Sequence, residues 1–465
     1  MKSLLFSPFT LGPMQLSNRI VMAPMTRTRA TADHVPTELM AIYYAQRATA
    51  GLLVTEGTAP SRDGAGYARI PGLYNPAQVD AWRRVTAAVH REGGRIFVQL
   101  MHTGRASHPL NMPAGARILA PSPVGLTRTL WTDAQGLQPL PVPAEMAETD
   151  IEQAIADFGA AAANAIQAGF DGVELHGANG YLIDQFLNLA SNRRTDRWGG
   201  SIANRIRFPA AVAASVAARI GAGRTGMRVS PYGAYNDMAP DPAMDGLYEQ
   251  LAAALGQLGI AYLHLVDHSS MGLPPVKPEI KQAIRNHFPG ALILSGGYDR
   301  ERAQADLAAG RGDLVAFGRP FIANPDLVVR LRTGLELAAP DPDTFYTPGE
   351  KGSCRGGESS RHTPRMRPSH EHNQSRAKRP GGRPRRQLVG YGQVPLRAGR
   401  RRLHRRFPCA RRCRAGPFGA GNRPFGRVPG PRHSRLLFLP WVGRSDPAAE
   451  ENGRAALWGN HLRTL

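Results

Sequence analysis

Residues 1–352 contain no cysteine; the three in the chain, Cys354, Cys409 and Cys413, all come later. The absence excludes a disulfide framework in the body of the chain and fits a reducing cytoplasm. It also excludes a thiolate nucleophile, and there is no His-Glu-x-x-His pair to hold a catalytic zinc. Cys409-Ala410-Arg411-Arg412-Cys413 has the wrong spacing and too few companions for a zinc or iron–sulfur site. No apolar run approaches the roughly 18 residues needed to span a membrane. The opening run Leu4-Leu5-Phe6 stops at Pro8, too early for a signal peptide.

The body also lacks net charge. The formal charge of +22 would ordinarily suggest a nucleic-acid partner. Residues 353–465, however, hold 26 Lys+Arg against 5 Asp+Glu, while residues 1–352 hold 32 against 31. The body is therefore electrostatically ordinary, and its partner is expected to be a small molecule.

What the body does have is alternation. Short, continuous apolar runs fall at 19–23, 52–57, 95–101, 172–177, 226–230, 262–267, 291–296 and 313–318. Unbroken apolarity is the pattern of strands buried on both faces. Between them lie Ala-rich helical patterns near 37–50, 76–91, 150–168, 204–220, 243–258, 278–286, 299–309 and 323–335, with Asp150 expected as an N-cap. Eight strands alternating with eight helices predict a parallel (β/α)8 TIM barrel over residues 1–350, an open doubly wound sheet being the alternative. Two long inserts, 102–148 and 178–203, leave the C-terminal ends of strands 3 and 4, the end at which barrels build their sites. Residues 1–18 are expected to close the opposite end.

Three groups of residues carry chemistry. Strands 7 and 8 end in Ser295-Gly296-Gly297 and Gly318-Arg319-Pro320, where glycine amides and an arginine fork can hold a phosphate. Strand 4 ends in His176-Gly177-Ala178-Asn179-Gly180-Tyr181, which offers two neutral donors for a carbonyl or nitro oxygen and a phenol that can give a proton. Gln99 on strand 3 suits the pyrimidine edge of a flavin, and Arg228 on strand 5 suits the anion of its reduced form. Gly221-Ala222-Gly223-Arg224-Thr225-Gly226 matches a dinucleotide fingerprint but follows a helix and precedes a strand, so it reads as a helix stop.

Taken in order, these motifs resemble the Old Yellow Enzyme family of flavin-dependent alkene reductases. The likeness runs from Leu11-Gly12-Pro13 and the turn Ala23-Pro24-Met25-Thr26, through Val98-to-Arg105 and His176-to-Tyr181, to Ser191-to-Arg197, Gly199-Gly200-Ser201 and the two phosphate turns. It implies one non-covalent FMN, NAD(P)H as hydride donor, and α,β-unsaturated carbonyl or nitro compounds as substrates, in a monomer or homodimer. It further implies that Ala23 to Thr26 and Gly57 lie beside the flavin ring, and that Gln99 and Arg228 hold its pyrimidine end. Gly296, Gly297, Gly318 and Arg319 would hold its phosphate. His176 and Asn179 would bind the substrate oxygen, Tyr181 would protonate the α-carbon, and Tyr67, Met101 and Tyr346 would line the pocket. Thr26 in place of cysteine resembles the branch of the yeast and enterobacterial enzymes, and Met101 stands where many relatives have tryptophan.

The resemblance ends inside a motif, at Lys351-Gly352. From there the chain is rich in Arg, Pro and Gly, with Arg400-Arg401-Arg402 and no apolar period before Leu436-Leu437-Phe438-Leu439. Residues 351–465 are expected to be a disordered basic tail, translated out of the family's frame or appended, that binds nucleic acid only non-specifically. A longer enzyme with an iron–sulfur segment and a nucleotide domain after the barrel is disfavoured, because the tail lacks the cysteines and the strand–glycine–helix fingerprint.

Overall fold

The computed structural model describes residues 3–353; the readings of the tail lie outside them. Eight parallel strands close on themselves: β1 (Ile20–Met22), β2 (Leu52–Thr58), β3 (Ile96–Leu100), β4 (Gly172–Gly177), β5 (Thr225–Val229), β6 (Tyr262–Val266), β7 (Ala291–Ser295) and β8 (Leu314–Phe317). The order is sequential, and β8 pairs with β1 to complete the barrel. Almost every residue of these strands is buried, which is why the runs read as continuous rather than alternating. The expected TIM barrel is the observed fold.

The helices follow the apolar periods but end where local chemistry stops them. Pro76–Arg91 begins as expected, with Asn75 accepting a hydrogen bond from the Gln78 amide at 2.9 Å. Asp150 is not the N-cap of the next helix. That helix spans Glu148–Gln167 from Ala147, and Asp150 lies in its first turn, its Oδ2 accepting from the Ala147 amide at 2.9 Å. The pattern over 323–335 yields only Leu327–Thr333: Pro325 forces Asn324 out of the helical region, leaving a separate short helix at Arg319–Ala323. The pattern from 37 likewise ends early, at Ala45.

The N-terminal end of the barrel is closed, as expected, by a hairpin, Phe9–Leu11 against Met14–Leu16. Leu11, Met14 and Leu16 pack onto Val21, Leu52, Val54, Phe97, Tyr262, Ile293 and Leu314. The decoy glycine motif does structural work here. Gly221 ends helix Arg207–Ile220 with φ +90°, and the turn after it abuts Gly12, where a Cβ would fall 2.1 Å from the Gly223 carbonyl oxygen.

Both inserts lie at the C-terminal end. The first forms a hairpin, Thr129–Thr132 against Gly136–Pro139, and the second contributes the helix Leu182–Leu187. Among the described residues no helix is long and apolar enough to cross a membrane.

Candidate active site

Parallel pairing brings the strand-borne candidates together. His176 lies opposite Arg228, which lies opposite His264; Glu174 lies opposite Gln99. Above them opens a cavity of about 1060 Å³. It is lined by Ala23, Pro24, Met25, Thr26, Tyr67, Gln99, Met101, His176, Asn179, Tyr181, Arg228, Gly296, Gly297, Gly318, Arg319 and Tyr346. Every candidate except Gly57 is among them. Gly57 is set back behind Met101: a Cβ there would fall 2.5 Å from the Met101 sulfur, so glycine leaves room for that thioether. Ligand pockets commonly measure ~300–1,000 Å³, so this one has space for a cofactor and a substrate together.

The floor is a buried polar network. The Glu174 carboxylate, fully buried, accepts from Gln99 Nε2 at 2.8 Å, from Tyr262 OH at 3.1 Å and from His264 Nδ1 at 2.9 Å. Burial alone would push this carboxyl up, but His264, the Arg228 charge and the Gln99 amide together hold it below its ordinary value. Burial keeps His264 neutral. Because Gln99 gives one amide hydrogen to Glu174, its orientation is set and its carbonyl oxygen is left to accept from a ligand.

Several buried polar atoms on the walls have no partner. They include Arg228 Nε, His176 Nδ1, Asn179 Oδ1 and Arg128 Nε. Unpaired buried polar groups are costly and rare, so four around one cavity mark where a polar ligand completes the structure. Burial, and then the neighbouring Arg228 charge, drives the His176 imidazole far below its ordinary pKa, so it stays neutral and keeps one N–H to donate. Asn179 has φ +60°, a left-handed conformation that is uncommon for a residue with a side chain. It is held there by its amide donating to Ser230 Oγ at 2.9 Å and its carbonyl accepting from Asn236 Nδ2 at 2.7 Å. Asparagine is among the residues that adopt this conformation most readily. The next amide, Gly180, donates to Asp184, whose carboxyl burial raises to about 7.

Tyr181 packs against His176 with ring centroids 5.0 Å apart, and its hydroxyl lies 3.1 Å from that of Tyr67. Burial and the Tyr67 phenol raise its pKa far above the ordinary value, so at neutral pH it holds a proton to give.

The turns after β7 and β8 both line the cavity, with Arg319 beside them. Gly296 and Gly297 have φ +138° and +64°, and a Cβ on either would strike Asp267 or Ser270. The donor set therefore fits FMN on three counts: the unpaired Arg228 nitrogen, the oriented Gln99 amide, and the glycine turns beside Arg319.

Sequence reasoning missed two groups. One is the mouth: Arg128, Trp131, Tyr235 and His268 line the cavity from the insert hairpin and from loops that carry no motif. The other is a clamp. Arg27 and Arg29, both buried, donate to carbonyls of the C-terminal segment: Phe345 at 3.1 and 2.6 Å, Gly352 at 2.7 Å and Lys351 at 2.8 Å. They hold Tyr346 at the cavity edge; only the arginines following Thr26 hinted at them.

The structure is a closed (β/α)8 barrel with a cavity at the C-terminal ends of its strands whose donor set fits a flavin. Residues 4–338 match the NADH:flavin oxidoreductase / NADH oxidase family. The chain is 43% identical over 352 residues to a probable flavin mononucleotide-dependent alkene reductase of Leishmania infantum, covering 75% of this chain and 95% of that one. It is 41% identical over 364 residues to 12-oxophytodienoate reductase 7 of Oryza sativa subsp. japonica, covering 74% and 91%. Among solved structures, morphinone reductase superposes with a TM-score of 0.73 at 42% identity, covering 76% of this chain and 96% of that one. The old yellow enzyme homologue from Zymomonas mobilis gives 0.72 at 41%, covering 75% and 98%. The chain belongs to the Old Yellow Enzyme family.

Proposed function

We propose that the protein is an FMN-dependent ene-reductase that uses NAD(P)H to reduce the activated C=C bond of α,β-unsaturated carbonyl or nitro compounds. The observation that carries this reading is the set of unpaired polar atoms on His176, Asn179 and Arg228 around one cavity, with the Tyr181 phenol beside them. Gln99 and Arg228 would hold the pyrimidine end of FMN, Thr26 would meet the same ring, and Gly296, Gly297, Gly318 and Arg319 would hold the phosphate. Bound there, FMN supplies hydride transfer from NAD(P)H to the β-carbon.

The chain's own residues do the rest. His176 and Asn179 bind the substrate oxygen and stabilise the charge that develops on it, the role of preorganised donors in a site shielded from water. A neutral His176 does this without competing for the proton. Tyr181 gives its hydroxyl proton to the α-carbon as a general acid; its place beside His176 in the cavity wall supports this reading. Tyr67, Met101 and Tyr346 shape the space above. A neighbouring structure, morphinone reductase in complex with tetrahydroNAD, supports a nicotinamide donor.

The test is reconstitution. The purified chain incubated with FMN should retain a yellow chromophore, and NADPH with 2-cyclohexenone should yield cyclohexanone. A protein that stays colourless, or a yellow protein that oxidises NADPH without consuming the enone, would overturn the proposal.

A further inference from the structure

We infer that Arg128 is a positioning residue for the proton-transfer step, acting on Tyr181 through Tyr67. The inference rests on the reading of Tyr181 as proton donor. Arg128 enters the mouth one residue before the hairpin strand Thr129–Thr132. Its Nη2 donates to the Tyr67 hydroxyl at 2.6 Å, and the Tyr67 and Tyr181 hydroxyls are 3.1 Å apart. The two phenol rings meet edge to face, 5.9 Å between centroids at 72°. Cation, phenol and phenol thus form one hydrogen-bonded row that ends at the residue beside His176.

The direction of this row follows from donor and acceptor counting. A guanidinium has donors only, so Tyr67 must accept from Arg128. Accepting from a charged donor polarises the single Tyr67 proton and makes it a stronger donor in turn. Before reaction Tyr181 can rest its own proton on Tyr67. When Tyr181 turns its O–H to the substrate, its oxygen becomes an acceptor, and Tyr67 is the donor within reach.

The step balances. The π pair of the alkene forms the new α-carbon–hydrogen bond with the Tyr181 proton, while hydride from the reduced cofactor forms the β-carbon–hydrogen bond. The Tyr181 O–H bond breaks and leaves a phenolate, which takes the Tyr67 proton. Tyr67 recovers a proton from water at the mouth, where Arg128 is partly exposed. Arg128 keeps its own protons throughout; its charge stabilises the negative charge as it passes along the two phenols.

The experiment uses the FMN-loaded full chain in stopped flow. The NADPH-reduced enzyme is reoxidised either by 2-cyclohexenone, which needs a proton on carbon, or by ferricyanide, which does not. Arg128→Gln should slow enone reoxidation by about tenfold, a fraction of the ~10²–10⁴-fold that a general acid itself contributes, and leave ferricyanide reoxidation and the bound-flavin spectrum as they were. Arg128→Lys, which keeps the charge, should recover part of the rate and serves as the second variant should Arg128→Gln fold poorly. In a Tyr67→Phe background, Arg128→Gln should add little, because the row is already cut. Equal slowing with both oxidants, a full additional loss in the Tyr67→Phe background, or no slowing would overturn the inference. If Tyr181→Phe itself leaves enone reoxidation untouched, the reading of the proton donor falls instead.

Discussion

The two ends of this barrel are built from the same eight strands and obey opposite rules. At the N-terminal end, Leu11, Met14 and Leu16 fill the opening against Phe97 and Tyr262 with apolar contacts. At the C-terminal end, buried nitrogens and oxygens on His176, Asn179, Arg228 and Arg128 have no partner. One end removes apolar surface from water, the main favourable term in folding. The other presents polar groups without a protein partner, each of which would cost roughly 1–3 kcal/mol if neither ligand nor water met it. A barrel can carry such a deficit at one end because the other end and the enclosing helices supply the stability.

If this division holds, substitutions at the two ends should fail in different assays. The largest effect is expected from Phe97→Ala, which empties a fully buried position facing Tyr262 at 5.9 Å between rings. It should lower unfolding stability by about 3–5 kcal/mol, while the fraction that folds keeps its flavin spectrum. A changed spectrum in the folded fraction would show that the ends are coupled.

At the other end, Tyr181→Phe should slow enone-dependent flavin reoxidation by about 10²-fold, with flavin reduction by NADPH and thermal stability nearly unchanged. Equal losses in the two half-reactions would remove Tyr181 as a selective proton donor. Next in size, Arg319→Ala should weaken FMN binding by about 2 kcal/mol, roughly 30-fold, through loss of a charged contact; fluorescence titration of the apoprotein reads this directly. His176→Ala should weaken binding of a phenol ligand by about tenfold and slow enone reduction in parallel. Unchanged phenol affinity would show that the oxygen-binding role lies with Asn179 alone.

Much of the fold was legible because a doubly buried strand leaves a simple trace. Val173, Leu175 and their counterparts read as unbroken apolar runs, and eight such runs at regular spacing admit few architectures. Helix ends were less legible. Asp150 has the side chain of a cap, yet the helix starts earlier, because a carboxylate in the first turn can reach back to the Ala147 amide as well as a capping residue can reach forward. Most of the candidate residues that line the cavity were legible from motifs at strand ends. Gly57 is the one candidate that does not line the cavity: Met101 at the end of the next strand packs over it, and nothing in the local sequence shows which of two neighbouring strands presents its side chain there.

The amino-acid sequence by itself determined the barrel, the end of it that reacts, and the residue types available there, because periodicity and glycine placement are local properties of a chain. Only the tertiary structure decided the rest. It paired Gln99 with Glu174 across 75 positions, set Arg128 on Tyr67 across 61, and drew Arg27 and Arg29 onto a segment more than 300 residues away. Those contacts depend on strand register and on where an insert folds back. Hydrogen-bond geometry is decided over a few ångströms of space, which separation along the chain does not measure.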